Sequence, residues 1–240
     1  MKAYAGTDRG RRRQINQDAV YYSTYPVGNI PNLFLVADGM GGHQAGDFAS
    51  RYTIDNLVRQ VEEAEGNNPI TILNEGIRQV NSLLIQKASE DTGLAGMGTT
   101  LVAALAGPDG CCVANVGDSR GYLLEEGAVR QVTVDHSLVQ LLVDRGEITP
   151  DQARVHPRKS RITRALGVDS QVECDLGRLE LRPGCRLLLC SDGLTNTMDD
   201  ETLLRVSGRE RSPEGLCQAL LDLALERGAP DNVTVVLAQL

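Results

Sequence analysis

Leu33 to Ala37 is an unbroken apolar run that ends in Asp38, after which Gly39-Met40-Gly41-Gly42 releases the backbone to His43. A short run rich in Leu, Phe and Val and closed by glycine reads as a buried strand ending in a turn. The pattern recurs at Arg186-Leu187-Leu188-Leu189-Cys190-Ser191-Asp192-Gly193. Any fold that satisfies both stretches buries two strands and delivers an acid at the end of each. A carboxylate fixed there is costly unless it is paired or holds a cation.

The remaining elements read as strands and covering helices. Short strands are predicted over 3–7 and 19–22. Ala49, Thr53, Leu57 and Val61 recur at helical spacing and predict an amphipathic helix over about 47–64. Leu73, Ile77, Val80 and Leu84 predict a second helix, with a stop near Thr92-Gly93. From Met97 the period shortens. Apolar segments at 99–106 and 111–116 flank Gly107-Pro108-Asp109-Gly110, a hairpin signal, and the second arm runs into Gly117-Asp118-Ser119-Arg120. Another hairpin is predicted over 121–124 and 129–132. Short helices follow over 137–145 and from the Thr149-Pro150 cap, then longer ones over 199–206 and 212–227. Asp231-Asn232 opens a last apolar strand over 233–240. No repeat, low-complexity tract or linker interrupts the 240 residues, so a single domain over 1–240 is expected.

Composition removes several function classes. The formal charge of -8 repels nucleic acid and anionic membrane surfaces. No apolar run approaches the roughly 18 residues of a spanning helix, and the first residues hold no signal-peptide core. A cytoplasmic monomer with no membrane or nucleic-acid partner is the expectation. The six cysteines form no C-x-x-C pair and sit mostly in apolar segments, as reduced small hydrophobes do. With three histidines in the chain, a metal would have to be held by oxygen, which selects Mg²⁺ or Mn²⁺ over Zn²⁺. The glycines after Asp38 are not a dinucleotide fingerprint, since the third glycine of that pattern would fall on Gln44.

Two basic stretches stand out on this acidic chain. Arg11-Arg12-Arg13 reads either as a solvated turn or as a planar phosphate clamp. The stretch from Arg145 to Arg164 holds six basic residues against two acids. It reads as a solvated face or as a lid over an anionic substrate. Four acids lie at strand ends: Asp38, Asp118, Asp192 and Asp231. Singly, each is a turn residue; together at one end of a sheet they would repel unless cations sat among them. Spacing alone does not make the four ends neighbours.

Taken in order, Arg13-x-x-Asn16-Gln17-Asp18, Asp38-Gly39-Met40-Gly41-Gly42-His43, Gly98-Thr99-Thr100, Val116-Gly117-Asp118-Ser119-Arg120, Ser191-Asp192-Gly193 and Asp231-Asn232-Val233-Thr234 resemble the bacterial protein phosphatase 2C family, the metal-dependent protein phosphatases. The resemblance runs from about Arg13 to Val236. It implies an α+β fold of the α/β class, a four-layer α-β-β-α sandwich with two central antiparallel sheets flanked by helices, and a lid at about 144–166. It also implies two Mn²⁺ or Mg²⁺ ions. Asp38 would bridge them, the Gly39 carbonyl would bind one, and Asp192 and Asp231 would complete the pair. Asp18 would act directly or through water. Asp118 with Asp192 resembles the ligand set of a third, weaker metal, to which Ser160 on the lid contributes in some members. By position Arg13 would bind the substrate phosphate and His43 would protonate the leaving oxygen, while His136 and His156 flank the lid in structural roles. The implied reaction is hydrolysis of phosphoserine and phosphothreonine in proteins by in-line attack of a metal-bridging water, opposing bacterial serine/threonine kinases. A catalytically silent member acting as a regulatory binding module is the alternative, against which every metal position is filled. Structural calcium binding has no loop of the right spacing behind it.

Overall fold

The computed structural model describes residues 1–42, 44–107, 110–181, 184–210 and 212–240. In chain order its strands are β1 (Lys2–Asp8), β2 (Asp18–Ser23), β3 (Leu33–Met40), β4 (Gly98–Thr99), β5 (Leu101–Gly107) and β6 (Gly110–Val116). They continue with β7 (Arg120–Glu125), β8 (Ala128–Gln131), β9 (Asp175–Leu179), β10 (Arg186–Cys190) and β11 (Val233–Gln239). The helices are α1 (Ala45–Glu62), α2 (Pro69–Glu90), α3 (Leu138–Asp144), α4 (Pro150–Arg154), α5 (Asp192–Thr195), α6 (Asp200–Arg209) and α7 (Pro213–Glu226).

The strands pair antiparallel in two sheets. One is ordered β1-β11-β10-β7-β8; the other is β2-β3-β5-β6-β9, with β4 attached to β3. Alternation along each strand sorts its side chains into three apolar layers. Leu33, Leu35 and Ala37 of β3 face α1 and α2, where they meet Leu57, Leu73 and Ile77. On the other sheet, Leu188 and Cys190 of β10 and Val233, Val235 and Leu237 of β11 face Leu203 of α6 and Leu216 and Leu220 of α7. Between the sheets lie Phe34, Val36, Val102, Val113, Leu187, Leu189 and Val236. The four-layer α-β-β-α sandwich expected from the sequence is the one observed.

Helix starts follow their caps. Asn68 accepts from the amides of Ile70 and Thr71 ahead of Pro69, and Thr149 and Gln152 form a reciprocal capping box at α4. The predicted boundaries differ by a few residues, as fraying ends do. Two described elements had no sequence signal. Strand β9 is an edge strand whose Asp175, Leu176 and Arg178 are exposed, so it lacks an apolar alternation. Helix α5 has four residues, too few to show a period. The turn residues Pro108 and Asp109 of the predicted hairpin lie outside the described residues, but its arms β5 and β6 pair in register. All six cysteines are free, five of them buried. Burial pushes the thiols of Cys111, Cys174, Cys190 and Cys217 up to about 12, which keeps them protonated and inert. Among the described residues no helix is long and apolar enough to cross a membrane.

Phe34 is fully buried in the layer between the sheets. Phe34→Ala is expected to cost about 3–5 kcal/mol of stability, read as a lowered urea midpoint with an unchanged slope. A loss below about 1 kcal/mol would contradict the inter-sheet core.

Candidate metal centre

The same alternation decides what gathers at one end of the inter-sheet layer. Val20 on β2 and Val36 on β3 point into that layer, so Asp18 and Asp38, two residues away, share their side. By the same parity Val102 brings in Thr100, Leu189 brings in Ser191, Val236 brings in Thr234, and Ala5 brings in Thr7. The layer is hydrocarbon along its length and carboxylates and hydroxyls at this end. Asp18 and Asp38 are cross-strand partners in the β2–β3 register, an arrangement of like charges that repels.

Hydroxyls and amides hold the acids in place. Asp18 Oδ2 accepts from Ser191 Oγ at 2.8 Å and Thr234 Oγ1 at 2.6 Å. Thr234 Oγ1 is in turn 2.7 Å from Thr7 Oγ1, which accepts from Asn16 Nδ2 at 2.8 Å. The Asp38 peptide is gripped from both sides. Its N–H donates to Thr100 Oγ1 at 3.0 Å, and its carbonyl accepts from Thr99 Oγ1 and the Thr100 N–H, each at 2.9 Å. Thr100 Oγ1 lies 2.7 Å from Ser119 Oγ and so ties this peptide to the loop bearing Asp118. Asn232 takes the Gln17 N–H on Oδ1 at 2.9 Å and donates from Nδ2 to the carbonyls of Arg9 and Ile15, at 2.9 and 3.0 Å. That clamp fixes the β1–β2 loop on which Arg13 sits.

Two backbone approaches demand glycine. A Cβ at Gly39 would lie 1.9 Å from the Gly46 carbonyl oxygen, and one at Gly193 would lie 1.9 Å from that of Asn232. The glycine after each strand-end acid therefore lets neighbouring backbone close on the site. Asp38 itself lies inside β3, which continues to Met40, rather than at its last residue.

The other predicted residues fall as follows. Asp192 opens α5, with Oδ2 accepting from Asn196 Nδ2 at 2.9 Å. Asp231 accepts the Asn232 N–H on Oδ1 at 2.9 Å and Arg13 Nη2 on Oδ2 at 2.7 Å. Sequence reading gave Arg13 and Asp231 separate partners; here they are paired with each other across 218 positions. Asp118 is 9% exposed, its carboxyl engages its own backbone N–H, and Arg120 draws on it. Next to it, Arg120 holds Asp135 through both carboxylate oxygens and donates to Tyr122 Oη. Ser160 is exposed in the turn after α4 and shares no hydrogen bond with the acids. His43 lies outside the described residues. His136 is structural: Nδ1 accepts from the Gly117 N–H at 3.0 Å, so the ring proton is on Nε2, which faces Asp175 at 3.1 Å. His156 Nδ1 accepts from the Arg158 N–H within its own turn.

The electrostatics show how closely the acids crowd. Burial pushes the Asp38 carboxyl well above its ordinary value, and Asp18, Asp192, Asp118 and Asp231 push it further. Burial raises Asp18 to about 7 against the hydrogen bonds from Thr234 and Ser191, and it raises Asp192 to about 6, with Asp231 adding to it. Asp118 is raised well above 3.8 by burial and by Asp192 and Asp135. Arg13 and Lys159 pull Asp192 the other way.

A hard divalent cation fits this donor set. All the donors are oxygens, and Asp18 Oδ1 and Asp192 Oδ1 are buried with no partner. Among the described residues no three carboxyl, thiol or imidazole groups are closed on one point as a ready-made cage. Mg²⁺-like ions do not need one, because they keep several waters and take one or two carboxylates each. The sequence missed the holding residues Thr7, Thr99, Thr100, Ser119, Ser191, Thr234 and Asn232. Most lie within the motifs beside the acids, and their parity was the signal that could have found them.

The family model described as protein phosphatase 2C matches residues 5–214. The chain is 42% identical over 238 residues to the serine/threonine protein phosphatase PstP of Mycobacterium tuberculosis, covering 99% of this chain and 45% of that protein. It is 40% identical over 250 residues to the serine/threonine phosphatase stp of Listeria welshimeri, covering 96% of that protein. The chain thus spans under half the length of its mycobacterial relative and nearly all of the listerial one. The crystal structure of M. tuberculosis PstP superposes with a TM-score of 0.90 at 41% identity, covering 100% of this chain and 98% of that one. A structure of the PstP catalytic domain in complex with two manganese ions superposes at 0.87 with 39% identity, covering 99% and 97% of the two chains.

Raised carboxyl pKa values fix the sign of a pH effect. Between about 3.8 and about 7 the folded chain holds protons that the unfolded chain has released. In excess chelator its stability is therefore expected to fall as pH rises through that window. Cation binding should release protons and reverse the loss at pH 7. Thermal melts across pH with chelator or Mn²⁺ test this, and a chelated protein that grows more stable from pH 5 to 7 would contradict it.

Proposed function

The chain belongs to the protein phosphatase 2C family, and from that membership we propose that it is a metal-dependent protein serine/threonine phosphatase. Its substrates are phosphoserine and phosphothreonine residues of proteins, those placed by bacterial-type serine/threonine kinases. The observation behind this reading is the gathering of five carboxylates at one end of the inter-sheet layer, with Arg13 on their rim.

Two Mn²⁺ or Mg²⁺ ions held here would lower the pKa of water and neutralise charge on the phosphoryl oxygens. Asp38 is suited to bridge them, because two threonines hold its peptide and its buried carboxyl feels the charge of all four other acids. Asp192 and Asp231 would supply further ligand oxygens, and the Gly39 carbonyl one more. Asp18 keeps Oδ1 free while Oδ2 is occupied by hydroxyls, so it offers a single oxygen, directly or through a water. Asp118 and Asp192 would be the pair for a third, weaker ion, to which Ser160 of the 144–166 lid would contribute.

Arg13 is the phosphate-binding residue. Its side chain is half exposed, and Nη2 alone is engaged, with Asp231. The other guanidinium donors make no hydrogen bond among the described residues and are free to grip phosphoryl oxygens in a planar fork. His43 is assigned by position in the motif as the group that returns a proton to the leaving seryl or threonyl oxygen.

The direct test is phosphate release from an aryl phosphate and a phosphothreonine peptide, with Mn²⁺ or with excess chelator. Turnover should require the metal; none under either condition refutes the reading. Asp38→Asn should lower kcat at least about 100-fold with native circular dichroism retained, and near-normal turnover would remove it from the bridging position. Arg13→Ala should raise KM about tenfold with a smaller change in kcat. His43→Ala should slow phosphopeptides more than aryl phosphates, whose leaving group needs no proton; equal slowing would exclude the acid role.

A further inference from the structure

Three parts of the chain meet at His136, whose ring is buried. The first is the loop that bears Asp118. The His136 N–H donates to the Gly117 carbonyl at 2.9 Å, and the Gly117 N–H donates back to Nδ1 at 3.0 Å. Gly117 packs on Thr100 so closely that a Cβ there would lie 2.6 Å from Thr100 Cγ2, and Thr100 Oγ1 accepts the Asp38 N–H. The second part is the return of the segment that faces the acids, residues 162–166. The Thr163 N–H donates to the His136 carbonyl at 2.8 Å. At the other end of this return, Leu166 pairs with Thr99 through two backbone bonds, and Thr99 Oγ1 donates to the Asp38 carbonyl. Five consecutive residues therefore touch the supports of both Asp38 and Asp118.

The third part is edge strand β9, and it sets the ring. To accept from Gly117, Nδ1 must carry no proton, which leaves the proton on Nε2. Asp175 selects that tautomer, with Oδ2 3.1 Å from Nε2 and Oδ1 accepting from Arg164 Nη1 at 2.8 Å. Burial works against the Asp175 charge, yet the bonds from His136 and Arg164 hold its carboxyl below its ordinary value. Arg164 lies on the 162–166 return and also donates to the Glu173 carbonyl at 3.0 Å, so it pins the return to the residues entering β9. A ring that only filled space would need no carboxylate and guanidinium to orient it. We propose that His136 is a positioning residue for Asp118, with its ring set by Asp175 and Arg164, so that the seating of the 162–166 return fixes the loop on which Asp118 sits. The inference rests on the phosphatase reading, in which Asp118 serves a metal, and adds a route by which the facing segment acts on the acids.

The test perturbs Gly117 from a distance. Arg164→Gln, and separately Asp175→Asn on the exposed edge, are made in the full chain, and hydrogen exchange at the Gly117 N–H is followed by NMR with chelator present. Each variant should speed that exchange about fivefold or more while the amides of β5 keep their wild-type rates. With Mn²⁺ and an aryl phosphate, each should lower kcat about threefold or more and leave KM within about twofold. His136→Asn supplies an amide oxygen that accepts without a carboxylate to set it. In that background, adding Arg164→Gln should change neither exchange nor kcat, because the only route from Arg164 to Gly117 has been removed. Unchanged Gly117 exchange in both variants, acceleration that extends equally to β5, or the same loss in the His136→Asn background overturns the positioning role. So does an unchanged kcat in variants of an active enzyme. A wild-type chain with no Mn²⁺-dependent turnover of the aryl phosphate or of a phosphothreonine peptide defeats the phosphatase reading itself.

Discussion

Mutual repulsion among Asp18, Asp38, Asp118, Asp192 and Asp231 is the constraint on which the rest of the structure depends. Water would screen these charges if they were spread over the surface. Two apolar sheets stacked face to face instead remove that screening and bring them together, so burial is the leading cause of each raised carboxyl pKa. Such an end to a core is tolerable only if positive charge or protons are supplied. Arg13 supplies part through Asp231, and the raised carboxyl pKa values favour protons as a further part where no cation is bound. A divalent cation would supply more charge than either, and it would also be chemically useful against a phosphate ester.

The surrounding residues then read as a means of holding repelling groups still. Asn16, Thr7, Thr234 and Asp18 form a hydrogen-bonded chain that passes through both sheets, and Thr100 and Ser119 join the Asp38 peptide to the Asp118 loop. A hydroxyl can donate and accept at once, so a line of them transmits position without adding charge. Lysines in their places would neutralise the acids and leave nothing to attract a metal. Hydroxyls stabilise the carboxylates enough to keep the fold and leave Asp18 Oδ1 and Asp192 Oδ1 unsatisfied.

Much of this was legible in the sequence because it depends on local periods. The apolar runs into Asp38 and Asp192 mark strands, and the helix faces of α1 and α2 follow from residues spaced three and four apart. Which strands stack was not legible from period alone. The face on which each acid lies follows from counting two residues back to Val20, Val36 or Leu189, but that count becomes a site only once two sheets are known to face each other. Edge strand β9 escaped because solvent on its exposed positions erases the alternation. The pairing of Arg13 with Asp231 escaped for another reason: no local rule relates residues 218 positions apart. The family resemblance placed both residues at one site yet assigned them different partners, since it encodes roles and not the contact between them.

The two sides of the site differ in what they are made of. The acids sit on strand ends and loops pinned by buried hydrogen bonds, with glycines at Gly39 and Gly193 where no side chain would fit. The facing segment from α3 through the turn at Ser160 is largely exposed, with short helices whose own caps hold them, including the Thr149–Gln152 box. Its two ends are held together by the backbone bonds of Leu138 to Arg161 and of Thr163 to His136, and Arg154 reaches across to the carbonyls of Thr195 and Met198. Residues on such a segment can change without disturbing the charges that the sheets hold in place. The acids are thus bound to the core, where a one-residue shift would reverse every side chain, while the facing segment is a surface free to vary. Lys159, Arg154 and Asp151 belong to that surface, and Asp192 is where its influence meets the fixed acids.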